Sequence, residues 1–186
     1  MKLIKIFIIL CISFNTPLKA NSDDKLQNIL KEGGKLIFIR HANAPGGGDP
    51  EGFDLSNCDS QRNLDKEGIN QSKSIGEFFS KNNIGIDKVI SSEWCRCKET
   101  ASYAFKNYET KNFLNSFFSK KFEHNKTNQI KELKEYIQKW NGEKNLIFVT
   151  HYVVILEILN LPVSSGEIVV VDRNFDIRAR YTTHNN

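Results

Sequence analysis

Several polar positions in this 186-residue chain fall at or just beyond the ends of short apolar runs, and their residue types suit one another chemically. Arg40-His41 closes the run Lys35-Leu-Ile-Phe-Ile-Arg40, Ser91-Ser92 closes Asp87-Lys-Val-Ile-Ser91, and His151 follows Asn145-Leu-Ile-Phe-Val-Thr150. Arg96 lies four residues beyond Ser92. Arginine donates a planar fork of N–H groups to two phosphate oxygens and keeps its charge. A neutral imidazole nitrogen can attack phosphorus, and a second imidazole held protonated by the bound anion can stabilise the transferred oxygens. Two arginines and two histidines brought together would make a dianion pocket. Phosphoryl transfer asks little more of a protein than such positioning and charge neutralisation.

The elements that must position these residues are legible as patterns. The three runs are apolar throughout and β-branched in part, the mark of strands buried on both faces. Residues 66–82 carry Ile69, Ile75, Phe78 and Phe79 towards one side of a helix, and Ile130, Leu133, Ile137 and Trp140 repeat at helical spacing. Ser92 could cap a helix from about Trp94 to Phe105, and Tyr152 to Leu159 reads as an apolar helix behind the third strand. Glu167–Val171 and Phe175–Tyr181 complete the chain as two more strands, in the form of a hairpin. Strands alternating with helices predict an α/β domain of three layers, a mostly parallel central sheet with helices on both faces. Ligands in such sheets bind outside the carboxyl ends of strands, where both histidines, the serine pair and, a helical turn on, Arg96 would lie.

Residues 1–20 have the layout of a secretory signal: Lys2 and Lys5, the apolar run Ile6–Ile12, and Leu18-Lys19-Ala20 as the exit. The run is too short to span a bilayer, so residues 21–186 are expected as a single exported domain, periplasmic or secreted, with no membrane span. Loss of Lys2, Lys5 and Lys19 lowers the formal charge from +4 to +1. The basic isoelectric point therefore gives no reason to expect a nucleic-acid partner. Cys58, Cys95 and Cys97 then remain, and in an oxidising compartment one pair can bridge. The expected bridge is Cys58–Cys95, with Cys97 as the alternative partner. Cys95-Arg-Cys97 lacks the further ligands of a zinc site, so no metal is expected. Gly46-Gly-Gly48 lacks the Lys-Ser/Thr ending of a phosphate-binding P-loop and reads as a rim loop.

Leu36-Ile-Phe-Ile-Arg-His-Ala42 resembles the strand and Arg-His signature of the histidine phosphatase superfamily, in its phosphoglycerate-mutase-like branch. Gln61-Arg-Asn-Leu-Asp-Lys-Glu-Gly68 is similar to the segment that opens that family's first helix. Ser91-Ser-Glu-Trp-Cys-Arg-Cys-Lys-Glu-Thr-Ala101 resembles its Ser-Ser-Pro…Arg…Thr-Ala element, and Phe148-Val-Thr-His151 its late strand. The resemblance implies His41 as nucleophile, Arg40 and Arg96 as phosphate clamps, and His151 as the second histidine. It also implies a small phosphorylated substrate and no cofactor. Short exported members acting on heptose phosphate of the lipopolysaccharide core come closest, and they share a cysteine near Cys58.

One departure stands out. Many members carry a carboxylic acid some twenty to thirty residues after the arginine, where this chain reads Asn112-Phe-Leu-Asn-Ser-Phe-Phe-Ser-Lys. Asn115 there can bind phosphate oxygens but cannot act as an acid. Asp49, Asp54 and Glu93 are the substitute proton donors. A phosphatase acting on phosphate monoesters is thus the leading expectation. The alternatives are a phosphoramidate phosphatase, which needs no acid, and a phosphoryl-ligand binder without turnover. A mutase ranks last, because the chain is short for one.

Overall fold

The computed structural model describes residues 20–182, so the export signal expected at 1–20 falls, but for Ala20, outside the described residues. Six strands make one sheet: β1 (Leu36–Arg40), β2 (Ile86–Ser91), β3 (Glu109–Thr110), β4 (Asn145–Thr150), β5 (Glu167–Val171) and β6 (Ile177–Thr182), in the order β3-β2-β4-β1-β5-β6. The first four are mutually parallel, whereas β5 and β6 run antiparallel and form the expected hairpin.

Helices cover both faces, and strand pleating shows why. Leu36 and Phe38 point into one core with Phe148, Val169 and Val171, beneath α5 (Lys126–Gln138) and α6 (Tyr152–Leu159). Ile37 and Ile39 point the other way, with Ile147, Val149 and Val170, against α1 (Ala20–Lys31), α2 (Lys66–Lys81) and α3 (Cys95–Phe105). Successive side chains of a strand face opposite sides, so runs that face two helical layers must be apolar at every position. Among the described residues no helix is long and apolar enough to cross a membrane.

Three elements escape sequence patterning. β3 has only two residues and α4 (Lys120–Glu123) only four, too few for any periodicity, and the helix α1 precedes Gly33-Gly34. Ser92 is not the cap of α3. Trp94 occupies that position with no side-chain cap, and the Ser92 hydroxyl, which accepts the Trp94 N–H at 3.3 Å, also bonds a histidine.

Candidate active site

Three strand ends lie side by side because β4 pairs with both β1 and β2, registering Arg40 with Thr150 and Ser91 with Val149. The ladder continues one residue further: His41 N–H donates to the Thr150 carbonyl at 2.9 Å, and Ser92 N–H to the Val149 carbonyl at 2.9 Å. His41 and His151 are thereby delivered to the same edge, ring centroids 5.5 Å apart, both buried.

The partners of each ring assign its protons. His41 Nδ1 lies 2.9 Å from the Ala42 carbonyl, which can only accept, so Nδ1 bears the hydrogen and Nε2 keeps its lone pair. His151 is held through side chains. Its Nδ1 faces Arg96 Nη2 at 3.4 Å, a group that can only donate, which leaves Nε2–H to donate to Ser92 Oγ at 2.9 Å. Ser92 Oγ donates on to Asn115 Oδ1 at 3.0 Å, and Asn115 Nδ2 donates to Glu93 Oε2 at 2.6 Å. Burial first, and the Arg96 charge second, hold both imidazoles well below their ordinary 6.5, so both are neutral in the free protein.

The turn after His41 is packed as closely as its strand. Ala42 N–H donates to Thr100 Oγ1, Asn43 N–H to Gln71 Oε1, and Asn43 Nδ2 to Asp65, whose carboxylate also caps α2. A Cβ on Gly68 would sit 2.0 Å from the Asn43 carbonyl oxygen. Only glycine lets the first turn of α2 approach the backbone that carries the nucleophile candidate.

A second set of groups comes from the connection between β1 and α2, residues 41–65. Asp49 receives two bonds from Arg96, at 2.7 and 3.2 Å, one from Trp94 Nε1 at 3.1 Å and one from the Arg62 N–H at 3.1 Å. Partial burial alone would raise the Asp49 carboxyl. Those donors and the Arg96 charge outweigh it and hold the group below the usual carboxylate range. Arg62 Nη1 donates to the Ala44 and Gly46 carbonyls at 2.8 and 2.6 Å. Arg40 Nη1 donates to the Val163 carbonyl at 2.9 Å, and its guanidinium lies 5.5 Å from the Tyr152 ring centre. The Nε groups of Arg40, Arg62 and Arg96 are buried without a protein partner.

These residues line one cleft of about 460 Å³, together with Gly46 to Gly48, Phe53, Trp94, Phe118, Phe122 and Tyr152. Three guanidinium groups against one carboxylate leave two net positive charges there, the complement of a phosphate dianion. The Cys58–Cys95 disulfide closes beside it, with a Cα–Cα distance of 5.6 Å, and leaves Cys97 as a free thiol that burial raises to about 12. Gln61 reinforces the joint, accepting the Cys95 N–H and donating to the Asp54 and Leu55 carbonyls.

Arg40, His41, Arg96 and His151 are therefore gathered around one space. Asn115, expected on phosphate, is instead turned behind His151, because its amide is taken by Ser92 and Glu93. Glu93 points the same way, and Asp54 is exposed and bonded to Ser56. Of the three proton-donor candidates only Asp49 lines the cleft, and it is ion-paired. Arg62 is a member of the site that sequence reasoning misses although it lies within Gln61–Gly68; two positions before Leu64 it reads as part of a helix approach. Among the described residues no group of three metal-ligating side chains occurs.

The family model for the histidine phosphatase superfamily, branch 1, matches residues 36–150. No curated protein matches the chain. Solved structures share its fold at low identity. The protein histidine phosphatase SixA complexed with tungstate aligns at 12% identity and TM-score 0.56, covering 80% of this chain and 96% of that one. A phosphoglycerate mutase from Thermus thermophilus aligns at 14% and 0.56, covering 81% and 99%. A putative alpha-ribazole-5'-P phosphatase from Escherichia coli aligns at 13% and 0.54, covering 80% and 94%.

Proposed function

This chain belongs to the histidine phosphatase superfamily, branch 1, and we propose that it is an exported phosphatase working through a phosphohistidine on His41. The observation that carries the proposal is the free Nε2 lone pair of His41, fixed by the Nδ1 bond to its own chain and facing a cleft with two net positive charges. Nε2 attacks phosphorus and the bond to the leaving oxygen or nitrogen breaks. Arg40, Arg62 and Arg96 neutralise the transferred oxygens, and His151, once protonated beside the bound anion, adds a donor to them. Water then attacks the phosphohistidine, the P–N bond breaks, its electron pair returns to Nε2, and both protons of the water leave on dihydrogen phosphate.

The acid is the unusual part. Asp49 is ionised in the free protein, so no carboxylic acid waits in the cleft to protonate a leaving alkoxide. That favours leaving groups that depart without one, phosphoramidates and activated esters ahead of simple alkyl esters. SixA, similar in fold, is described as a protein histidine phosphatase. Export is supported by the apolar run Ile6–Ile12 and by the Cys58–Cys95 bridge, which an oxidising compartment maintains.

The test is phosphate release by the purified protein from phosphoramidate, aryl phosphate and sugar phosphates of the lipopolysaccharide-core type, with chelator present. Turnover that disappears in His41→Ala, with a radiolabelled phosphoryl group trapped on the wild-type protein, is the expected result. Tight vanadate binding without turnover of any substrate would make the chain a phosphoryl-ligand binder instead.

A further inference from the structure

The cleft extends well beyond the groups that a phosphate needs, and the rest of its lining is strongly biased. Phe53, Trp94, Phe118, Phe122, Tyr152 and Val153 supply rings and an aliphatic branch. Phe53 meets Trp94 and Phe122 at a tilt, with centroids 5.8 and 5.9 Å apart, and Trp94 meets Phe122 and His151 edge-on at 5.6 and 5.3 Å. Phe118 stands at the same cleft with 70% of its surface exposed, by far the most exposed large apolar side chain among the described residues. Among the described residues nothing covers this ring.

Polar complement is scarce on this wall. Among the described residues, and apart from the charged groups, the histidines and the main chain of Gly46 to Gly48, the cleft offers a substrate the hydroxyls of Ser116, Ser119 and Tyr152, and Ser116 Oγ already accepts the Phe118 N–H at 3.3 Å. A polyol seated here would lose its hydrogen bonds to water with few in return, whereas a flat apolar ring would bury its faces against others at favourable tilted or offset angles. The size agrees. About 460 Å³ lies towards the small end of the range of about 300–1,000 Å³ for small-molecule clefts, room for a phosphoryl group with one or two rings.

We infer that the group next to the phosphate in the natural substrate is a flat, apolar, unsaturated ring rather than a free sugar, and that Phe118 is the residue that closes over it. This rests on the phosphatase reading above and sharpens it to a substrate class.

The test uses non-hydrolysable phosphonates, so that recognition is separated from leaving-group chemistry. Benzylphosphonate, methylphosphonate and a hexose-bearing phosphonate are titrated calorimetrically into the purified protein. Benzylphosphonate should bind at least about tenfold tighter than either of the others, and Phe118→Ala, an exposed change that spares the core, should remove most of that advantage. Benzyl phosphate should also be hydrolysed with a higher kcat/KM than ethyl phosphate, whose leaving alcohol is of similar basicity. Equal affinity for benzyl- and methylphosphonate, a preference for the hexose compound, or an advantage untouched in Phe118→Ala would overturn the inference while leaving the phosphatase reading intact. Failure of all three phosphonates and of orthophosphate to bind would instead remove the phosphate pocket itself, and the inference with it.

Discussion

The two halves of the candidate site are held by different kinds of bond. His41, Ser92 and His151 stand at the ends of adjacent parallel strands, and backbone ladder bonds between those strands place them. Asp49, Arg62 and Phe53 come from the connection between β1 and α2, held by side-chain bonds, a few turn contacts and one disulfide. A ladder is redundant, since each bond is backed by its neighbours and by buried apolar residues on both faces. A loop held by side chains has fewer substitutes for any one contact, and opens at lower free energy. The strand edge should therefore own bond making and breaking, and the loop should own much of the grip on the phosphoryl group.

That division can be broken experimentally. The largest effect falls on the strand edge: His41→Asn should lower phosphate release at least about a thousandfold, with an unchanged circular dichroism spectrum. Loss of fold alongside loss of activity would show the two halves to be one unit. Next comes Arg62→Ala, which removes the clamp proposed for the loop and should cost about a hundredfold in kcat/KM for a good aryl phosphate, the scale of one lost transition-state donor. A change below about threefold would make Arg62 a strut for the Gly46 turn and nothing more.

Smaller again is the disulfide. Replacing Cys58 and Cys95 by serine frees a loop spanning 37 positions and should lower stability by about 2–4 kcal/mol, read by urea unfolding. KM should rise more than kcat falls, because the bridge lies in the half that binds. The smallest effect concerns pH. Burial, with the arginine charges, keeps both imidazoles neutral when folded, while each takes up a proton near 6.5 when unfolded. Below 6.5 the unfolded chain thus binds more protons, so stability rises with pH in that window and is lost as pH falls. The thermal midpoint should drop by a few degrees between pH 7 and pH 5.5, and His151→Gln should flatten the slope.

The same contrast explains how much the sequence revealed. Strand-end residues announce themselves, because a run apolar on both faces has few ways to end, and a charged pair at its end has nowhere to go but the sheet edge. Helices α2, α3, α5 and α6 are legible from spacing or from their place behind a strand, within a few residues at their ends. Arg62 and the ion pair of Asp49 with Arg96 are not. Arg62 reaches back 18 and 16 residues to the Ala44 and Gly46 carbonyls and Asp49 meets Arg96 47 residues on, through a connection with no period, and Gly46 to Gly48 removes any local constraint on where Asp49 points. Asn115 lies on the other side of His151 from the one expected for a related reason: position along the chain tells how near it comes, not which way its amide faces.

The bond from His41 Nδ1 to the Ala42 carbonyl has a consequence for how the site tolerates change. Every residue presents a main-chain carbonyl, so whatever side chain stands at position 42, the acceptor that sets the tautomer of His41 persists. The target for mutation is nearly empty. His151 depends on side chains throughout, on Arg96, Cys97, Ser92 and, behind Ser92, Asn115, so its orientation can be lost at several genetic positions. Drift should thus erode the second histidine's support well before it touches the first, and an engineer wishing to alter reactivity while sparing the proposed nucleophile has Ser92 and Asn115 as the dials.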